Sequence, residues 1–174
     1  QNFTGSNNLP LLQANGMFGT RLSGGNDHAS PRYIFTCMSP ETSYLFDKND
    51  NPLYKYINED GLIVEPEYYV TTLPMVLING AEGIGTGFST YIPSHSIEDI
   101  KENIKRKLNG QQFKSMKPYY KGFKGEITEI KENEYVIKGK YRWDKKTLIV
   151  EELPIIGNYR WIEKYKIFLN KLLD

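Results

Sequence analysis

The chain predicts an α/β architecture of the mixed α+β kind, and three observations carry that expectation. From Gly125 the apolar residues alternate with polar ones at period two, the signature of half-buried antiparallel strands. Before that switch, Ile97, Ile100, Ile104 and Leu108 recur at helical spacing. The first thirty residues show neither period and are rich in Gly, Asn and Ser, which suits loops and short strands.

The elements follow in order. Tyr33–Thr36 reads as a strand because it joins aromatic and β-branched residues. Glu41 to Phe46 suits a short helix, and Lys48-Asn49-Asp50-Asn51-Pro52 concentrates turn formers. Tyr69–Leu73 and Met75–Ile78 are apolar and strand-like, ending at Asn79-Gly80. Ser96 is a good N-cap with Asp99 at the reciprocal capping position, and Gly110 closes the far end. The stripe on that helix is packing. Three strands are expected next, over Glu126–Ile130, Tyr135–Tyr141 and Thr147–Glu151, forming an antiparallel meander with turns at 131–134 and 144–146. After Gly157 a second helix places Trp161, Tyr165, Phe168, Leu169 and Leu172 on one face.

Composition bounds the function less than the pattern does. A chain of 174 residues could bury about 70% of its unfolded surface as one domain. The net charge of +1 does not announce a nucleic-acid binder, whose domains usually carry a basic excess. Basic residues nevertheless gather between Lys101 and Lys124, either as a solvated face or as one turned toward phosphates. The single Cys37 excludes an internal disulfide and a Cys-rich zinc site, and its place after an apolar run suggests a small buried packing residue. No apolar stretch approaches the roughly 20 residues of a membrane span, and no signal peptide is visible, so the chain reads as soluble and intracellular. His28 and His95 lie far apart and no carboxylates cluster, so no metal site is expected.

The chemistry concentrates at Ser30-Pro31-Arg32-Tyr33. A tyrosine phenol, with an ordinary pKa of about 10, is mostly protonated at neutral pH. A neighbouring guanidinium favours phenolate and stabilises the extra charge of five-coordinate phosphorus, which makes the pair suited to attack on a phosphodiester. With 13 tyrosines in the chain, most serve packing or surface, so the pair alone does not decide the matter. A second motif, Gly80-Ala81-Glu82-Gly83-Ile84-Gly85-Thr86-Gly87, superficially suggests a phosphate cradle. It lacks the Gly-Lys-Ser/Thr ending that would put a lysine on the phosphates. Its glycines instead allow close backbone approach to a ligand such as a duplex, with Ile84 either a lone apolar side chain suited to wedging between base pairs or an ordinary buried isoleucine in a glycine-rich turn.

The surrounding text resembles a known family. Ser6-Asn7-Asn8-Leu9, Gly16-Met17-Phe18-Gly19-Thr20-Arg21-Leu22, Ala29-Ser30-Pro31-Arg32-Tyr33-Ile34-Phe35-Thr36, Val64-Glu65-Pro66-Glu67, Pro74–Gly87 and Tyr119–Gly125 recur in order. Together they closely resemble the active-site segment of type IIA DNA topoisomerases, in the eukaryotic and large-DNA-virus branch. The match is specific from Gln1 to about Gly125 and weaker beyond. The chain begins without methionine and its pattern is still running at Leu172, so it reads as an excerpt of a larger enzyme.

The resemblance implies that residues 1–68 are the later part of a winged-helix domain and residues 69–174 the first part of a tower domain. It implies that Tyr33 is the nucleophile, Arg32 its transition-state partner and Ile84 the DNA-bending wedge. Arg21 would contact a phosphate near the cleaved bond or serve as a structural wing residue. Arg160 and Trp161 resemble a tower segment approaching DNA, with Trp161 alternatively anchoring its helix. Asn26 departs from the lysine found at this position in many relatives, and His28 replaces a common alanine, which disfavours a general-base role. The implied partners are double-stranded DNA and a second copy in a homodimer, with no membrane. Mg2+ and ATP would be bound outside this fragment, the magnesium by an upstream TOPRIM domain. A nuclear location is implied, or the host nucleus or cytoplasm for a viral source. The rival readings are a non-catalytic DNA-bending module of the same fold, a protein of the bacterial gyrase type, and a protein-interaction domain without a DNA role.

Overall fold

A computed structural model of the chain describes residues 1–155 and 161–173. Its organising feature is a set of projecting two-stranded ribbons on a small packed base. A one-turn helix α1 (Thr42–Leu45) and a 3-10 segment (Lys48–Leu53) precede the first antiparallel hairpin, β1 (Tyr56–Glu59) and β2 (Leu62–Pro66). The short helix α2 (Met75–Ile78) leads into a second hairpin, β3 (Ala81–Gly85) and β4 (Phe88–Ile92). Helix α3 (Ile97–Leu108) follows, then β5 (Glu126–Lys131) with β6 (Glu134–Lys138), then β7 (Lys140–Asp144) with β8 (Thr147–Glu152). Helix α4 (Ile162–Leu173) ends the described chain.

Helix α3 forms as its sequence dictates. The Ser96 hydroxyl accepts the Asp99 N–H at 3.3 Å, satisfying one orphan donor of the first turn. Glu98 and Asp99 sit at the positive end and Lys105, Arg106 and Lys107 at the negative end of the helix dipole. Ile100 is buried, whereas Leu108 at the end of the stripe is exposed.

Five expectations are corrected. Tyr33–Thr36 joins no sheet: Pro31 opens a 3-10 turn through Tyr33, and Ile34 then runs extended. Proline preset at the first position of the turn outweighs the β-propensity of the residues behind it. With no sheet to bury it, Cys37 is exposed and not a packing residue. Met75–Ile78 is helical, because a four-residue apolar run reads equally as buried strand or helix and Pro74 supplies a helix start. Tyr69–Leu73 likewise forms no strand. Finally, the meander of three strands is two separate hairpins. The stretch expected as one strand over Tyr135–Tyr141 divides at Gly139, where an added Cβ would collide with the Glu152 carbonyl and the Pro154 ring. Before that point the chain pairs with β5, and after it with β8.

The described core is small: Leu45, Ile78, Ile100, Tyr120 and Ile155 are its buried apolar side chains. The chain exposes 13234 Å², against roughly 8,700 Å² for a compact monomer of this mass. Part of the excess lies on the ribbons, where Leu62, Ile63, Phe88, Tyr141 and Trp143 are all exposed.

Contacts run freely between the first residues and the middle of the chain. Asn8, buried, donates through Nδ2 to the carbonyls of Ile78, His95 and Tyr119 and accepts from the Lys121 N–H. The segment after Asn8 pairs with residues behind Tyr33. Gln13 N donates to the Cys37 carbonyl and Ser39 N to the Leu11 carbonyl, both at 2.9 Å.

Candidate nucleic-acid interface

The loop preceding Arg32 and Tyr33 is closed by short-range polar bonds. Asp27 accepts from the Thr20 N–H at 2.8 Å and from the Thr20 hydroxyl at 2.6 Å. These bonds, the one from the Thr20 hydroxyl first, hold its carboxyl at about 2, well below its usual 3.8. Gly25 N donates to the Thr20 carbonyl and Ala29 N to the Met17 carbonyl. The loop thereby returns the chain to Ser30, from which the turn begins. His28 Nδ1 donates to the Ala29 carbonyl at 2.8 Å and so serves the loop backbone.

On this support the turn presents its chemistry outward. Tyr33 N donates to the Ser30 carbonyl and Ile34 N to the Pro31 carbonyl, fixing the backbone. The Tyr33 ring is 72% exposed. The Arg32 guanidinium lies over that ring, 5.4 Å from its centroid. A cation held against an exposed phenol is an arrangement that an incoming polyanion could reach without displacing packed side chains.

The second exposed feature is the β3–β4 hairpin. Ile84 faces Ser89 across the ribbon and is 88% exposed, beside Phe88 at 85%. A large aliphatic side chain held out on an exposed ribbon is unfavourable in water and suits insertion between stacked bases. The glycine-rich segment expected to approach DNA is thus a strand pair, not a phosphate-cradling loop.

The remaining predicted residues divide. Arg21 is half-buried: Nη1 pairs with Glu152 Oε1 at 2.6 Å and Nη2 donates to the Leu153 carbonyl at 3.0 Å. Of its two expected roles, this geometry supports the structural one. Trp161 lies edge-on to Phe3, with ring centroids 5.7 Å apart, and close over Gly5 and Gly24. That packing supports the anchoring role for it. Arg160 lies outside the described residues. In the basic run, Arg106 Nε donates to the Gln112 carbonyl, Lys107 stands over Phe113 and Lys114 approaches Glu102. Lys101, Lys105, Lys117, Lys121 and Lys124 are exposed.

Sequence reasoning passed over Asn8 and Asn79, whose side chains hold the base of the Ile84 hairpin. A buried asparagine carries no local signal that separates it from one in a turn.

An exposed tyrosine–arginine turn and an isoleucine hairpin on this mixed α+β scaffold match one family along the whole chain. Residues 1–174 fit the family of the DNA gyrase/topoisomerase IV A-type subunits, and the chain belongs to that family. Among individual proteins it is similar to DNA topoisomerase 2 of Pisum sativum, 47% identical over 176 residues. It is also similar to DNA topoisomerase 2-alpha of Cricetulus griseus, 52% identical over 167 residues. These alignments cover 100% and 95% of this chain but only 12% and 11% of the relatives. The fold superposes on the crystal structure of the Plasmodium falciparum topoisomerase II DNA-binding, cleavage and re-ligation domain with a TM-score of 0.90 and 44% identity. That match covers all of this chain and 24% of the other.

Proposed function

We propose that this chain is the segment of an ATP-dependent type IIA DNA topoisomerase that supplies the nucleophile and the DNA-bending wedge. The observation that carries the reading is the exposed Tyr33 phenol with the Arg32 guanidinium beside it, on a turn closed by backbone bonds. The reaction is a transesterification. Tyr33 Oη attacks a backbone phosphorus and gives up its proton, the bond from phosphorus to the 3′-oxygen breaks, and that oxygen leaves as a hydroxyl. A 5′-phosphotyrosyl ester remains. Because one phosphoester replaces another, religation is the reverse attack and requires no external energy. Arg32 stabilises the added charge of the five-coordinate state. Ile84 enters the base stack and bends the duplex.

The parent protein acts as a homodimer, each copy cutting one strand, so that a second duplex passes through the opening. Among the described residues no three His, Cys, Asp or Glu side chains converge as a metal site. The Gly80–Gly87 segment offers no lysine for nucleotide phosphates. The family reading assigns magnesium and ATP to parts of the parent outside this chain. No described helix is long and apolar enough to cross a membrane. The substrate places the parent with the genome, in the nucleus of a cellular source.

The test uses the full-length parent with magnesium and supercoiled DNA, quenched with denaturant. Protein attached to 5′ ends in the wild type but not in Tyr33→Phe is the expected result. Equal attachment in both would move the nucleophile elsewhere. No attachment in either, with DNA still bent, would favour the non-catalytic bending module.

A further inference from the structure

We propose that Asn8 and Asn79 are positioning residues for the Ile84 hairpin, holding both of its feet and tying them to the segment that follows Tyr33. The inference rests on the reading of Ile84 as the DNA wedge.

The hairpin needs such a device. From Ala81 to Tyr91 its residues are exposed, so little lateral packing steadies it. One brace is the contact of Tyr91 Oη with Tyr120 Oη at 3.1 Å. Beside it opens a cleft of about 770 Å³ toward the β5–β6 hairpin, lined by Glu82, Tyr135 and Ile137 among others. With a strand rise near 3.3 Å per residue, Ile84 stands roughly 10 Å from the base at Ala81, so a tilt of about 10° would move it by roughly 2 Å. Displacements of that size defeat a site that must meet a base step. The direction of the hairpin is therefore decided where it leaves the body.

Both feet are held by asparagine amides. The Asn8 amide donates to the carbonyl of Ile78, ahead of the first foot, at 3.0 Å and to that of His95, behind the second, at 3.2 Å. It also donates to the Tyr119 carbonyl at 2.9 Å and accepts from Lys121 N at 2.8 Å. Both polar atoms of the amide are engaged, with the two Nδ2 hydrogens shared among three carbonyls, which fixes the orientation of the amide. Asn79 works in the opposite direction. Its Oδ1 accepts from Leu9 N at 2.8 Å and its Nδ2 donates to the Leu9 carbonyl at 3.0 Å, imitating a strand pair. Between them, Gly80 has φ of +72°, and an added Cβ would sit 2.6 Å from the Ile92 carbonyl. The feet are thus too close for any side chain at that position.

The strap that carries Asn8 continues to the nucleophile's segment. Leu11 accepts through its carbonyl from Ser39 N at 2.9 Å and from the Thr42 hydroxyl at 2.7 Å. The Gln13 carbonyl accepts from the Thr36 hydroxyl, three residues beyond Tyr33. Residues 8–13 therefore set where the wedge stands relative to the turn bearing Tyr33.

The control is built into the fold. Asn103 is also buried, and it clasps Lys114 through both amide atoms, but it lies on α3 away from the hairpin feet. Full-length wild type, Asn8→Ala, Asn103→Ala, Ile84→Ala and Asn8→Ala/Ile84→Ala would be compared at saturating protein on a duplex labelled at both ends, with bending read by energy transfer and stability by thermal melting. The expected result is a bent fraction at least about fivefold lower for Asn8→Ala and unchanged for Asn103→Ala at a similar loss of melting temperature. The double variant should bend DNA no less than Ile84→Ala alone. If Asn8→Ala does not fold, Asn79→Ala, which is half-buried, should give the same loss. Equal bending by Asn8→Ala and Asn103→Ala would overturn the positioning role while leaving the wedge intact. Unchanged bending by Ile84→Ala would instead sink the wedge reading, and the positioning role with it.

Discussion

The turn bearing Tyr33 and the strap of residues 8–13 lie side by side in the fold and are built on opposite principles. The turn is short, exposed and held only by backbone bonds, and its two functional side chains touch chiefly each other. The strap carries no reactive group, yet at Asn8 it is buried and every polar atom of the side chain is matched. The same contrast separates the outer half of the β3–β4 hairpin from its base. On the proposed reading, groups that meet a large, variable ligand sit exposed, and the hairpin's placement is set one layer inward by the Asn8 and Asn79 amides.

The largest effect should come from the exposed side of that contrast. Tyr33→Phe removes one hydroxyl from a ring that is 72% exposed, so folding should be untouched while covalent attachment falls by at least about 10³-fold. Denaturant-trapped cleavage of the full-length protein measures it. A fall in melting temperature alongside the loss would mean that the phenol also has a structural partner.

Next in size is a residue on the buried side. Arg21→Ala would leave the Glu152 carboxylate, 5% exposed, without its counter-charge. Stranding a buried charge in this way costs about 3 kcal/mol, which thermal melting of the full-length protein would register. The alternative, an Arg21 that contacts phosphate, predicts near-wild-type melting and a salt slope of DNA binding shallower by about one.

How much of this was legible beforehand follows the same division. Helix α3 is written in local text, with Ser96 ahead of a one-sided stripe, and so are the side chains singled out at Arg32-Tyr33 and Ile84, though not the turn and the hairpin that carry them. What the sequence concealed were choices settled by distant partners. Gly139 reads as a residue within one strand, and only the Glu152 carbonyl and the Pro154 ring show why the chain must change partners there. Met75–Ile78 has too few residues for either period to show itself. Asn8 and Asn79 lie 70 or more residues from several of the groups they hold, and nothing nearby marks them as buried. Arg21 is the same case: from the sequence, a cation in that loop suits a phosphate contact or a structural role equally, and only the distant Glu152 against it favours the second.

A smaller effect is expected from Ile84→Ala. The side chain is 88% exposed, so stability should stay within about 0.5 kcal/mol of wild type. Burying an isoleucine among bases is worth roughly 1.5 kcal/mol or more, so the bent fraction should fall about tenfold. Energy transfer on the end-labelled duplex reads this directly, and a loss of stability without a loss of bending would mean that the hairpin packs where it is described as free.

The smallest effect concerns the loop that delivers the turn. The Asp27 carboxyl is held at about 2, chiefly by the Thr20 hydroxyl and then by the Thr20 N–H. A carboxyl whose pKa is depressed on folding stabilises the fold above its ordinary value of 3.8, and that contribution is lost as the pH falls toward 2. Between about pH 5 and 9 the group stays ionised in both states, so it should give the loop no pH dependence there. Trypsin cleavage after the exposed Arg32 reports the order of this loop. Asp27→Asn should speed that cleavage by roughly two- to threefold, the modest effect expected of a surface change. The ratio of mutant to wild-type rates should stay constant from about pH 5 to 9. A ratio that changes within that range would show that Asp27 titrates near neutrality, and the bonds to Thr20 would then not be what holds the loop closed.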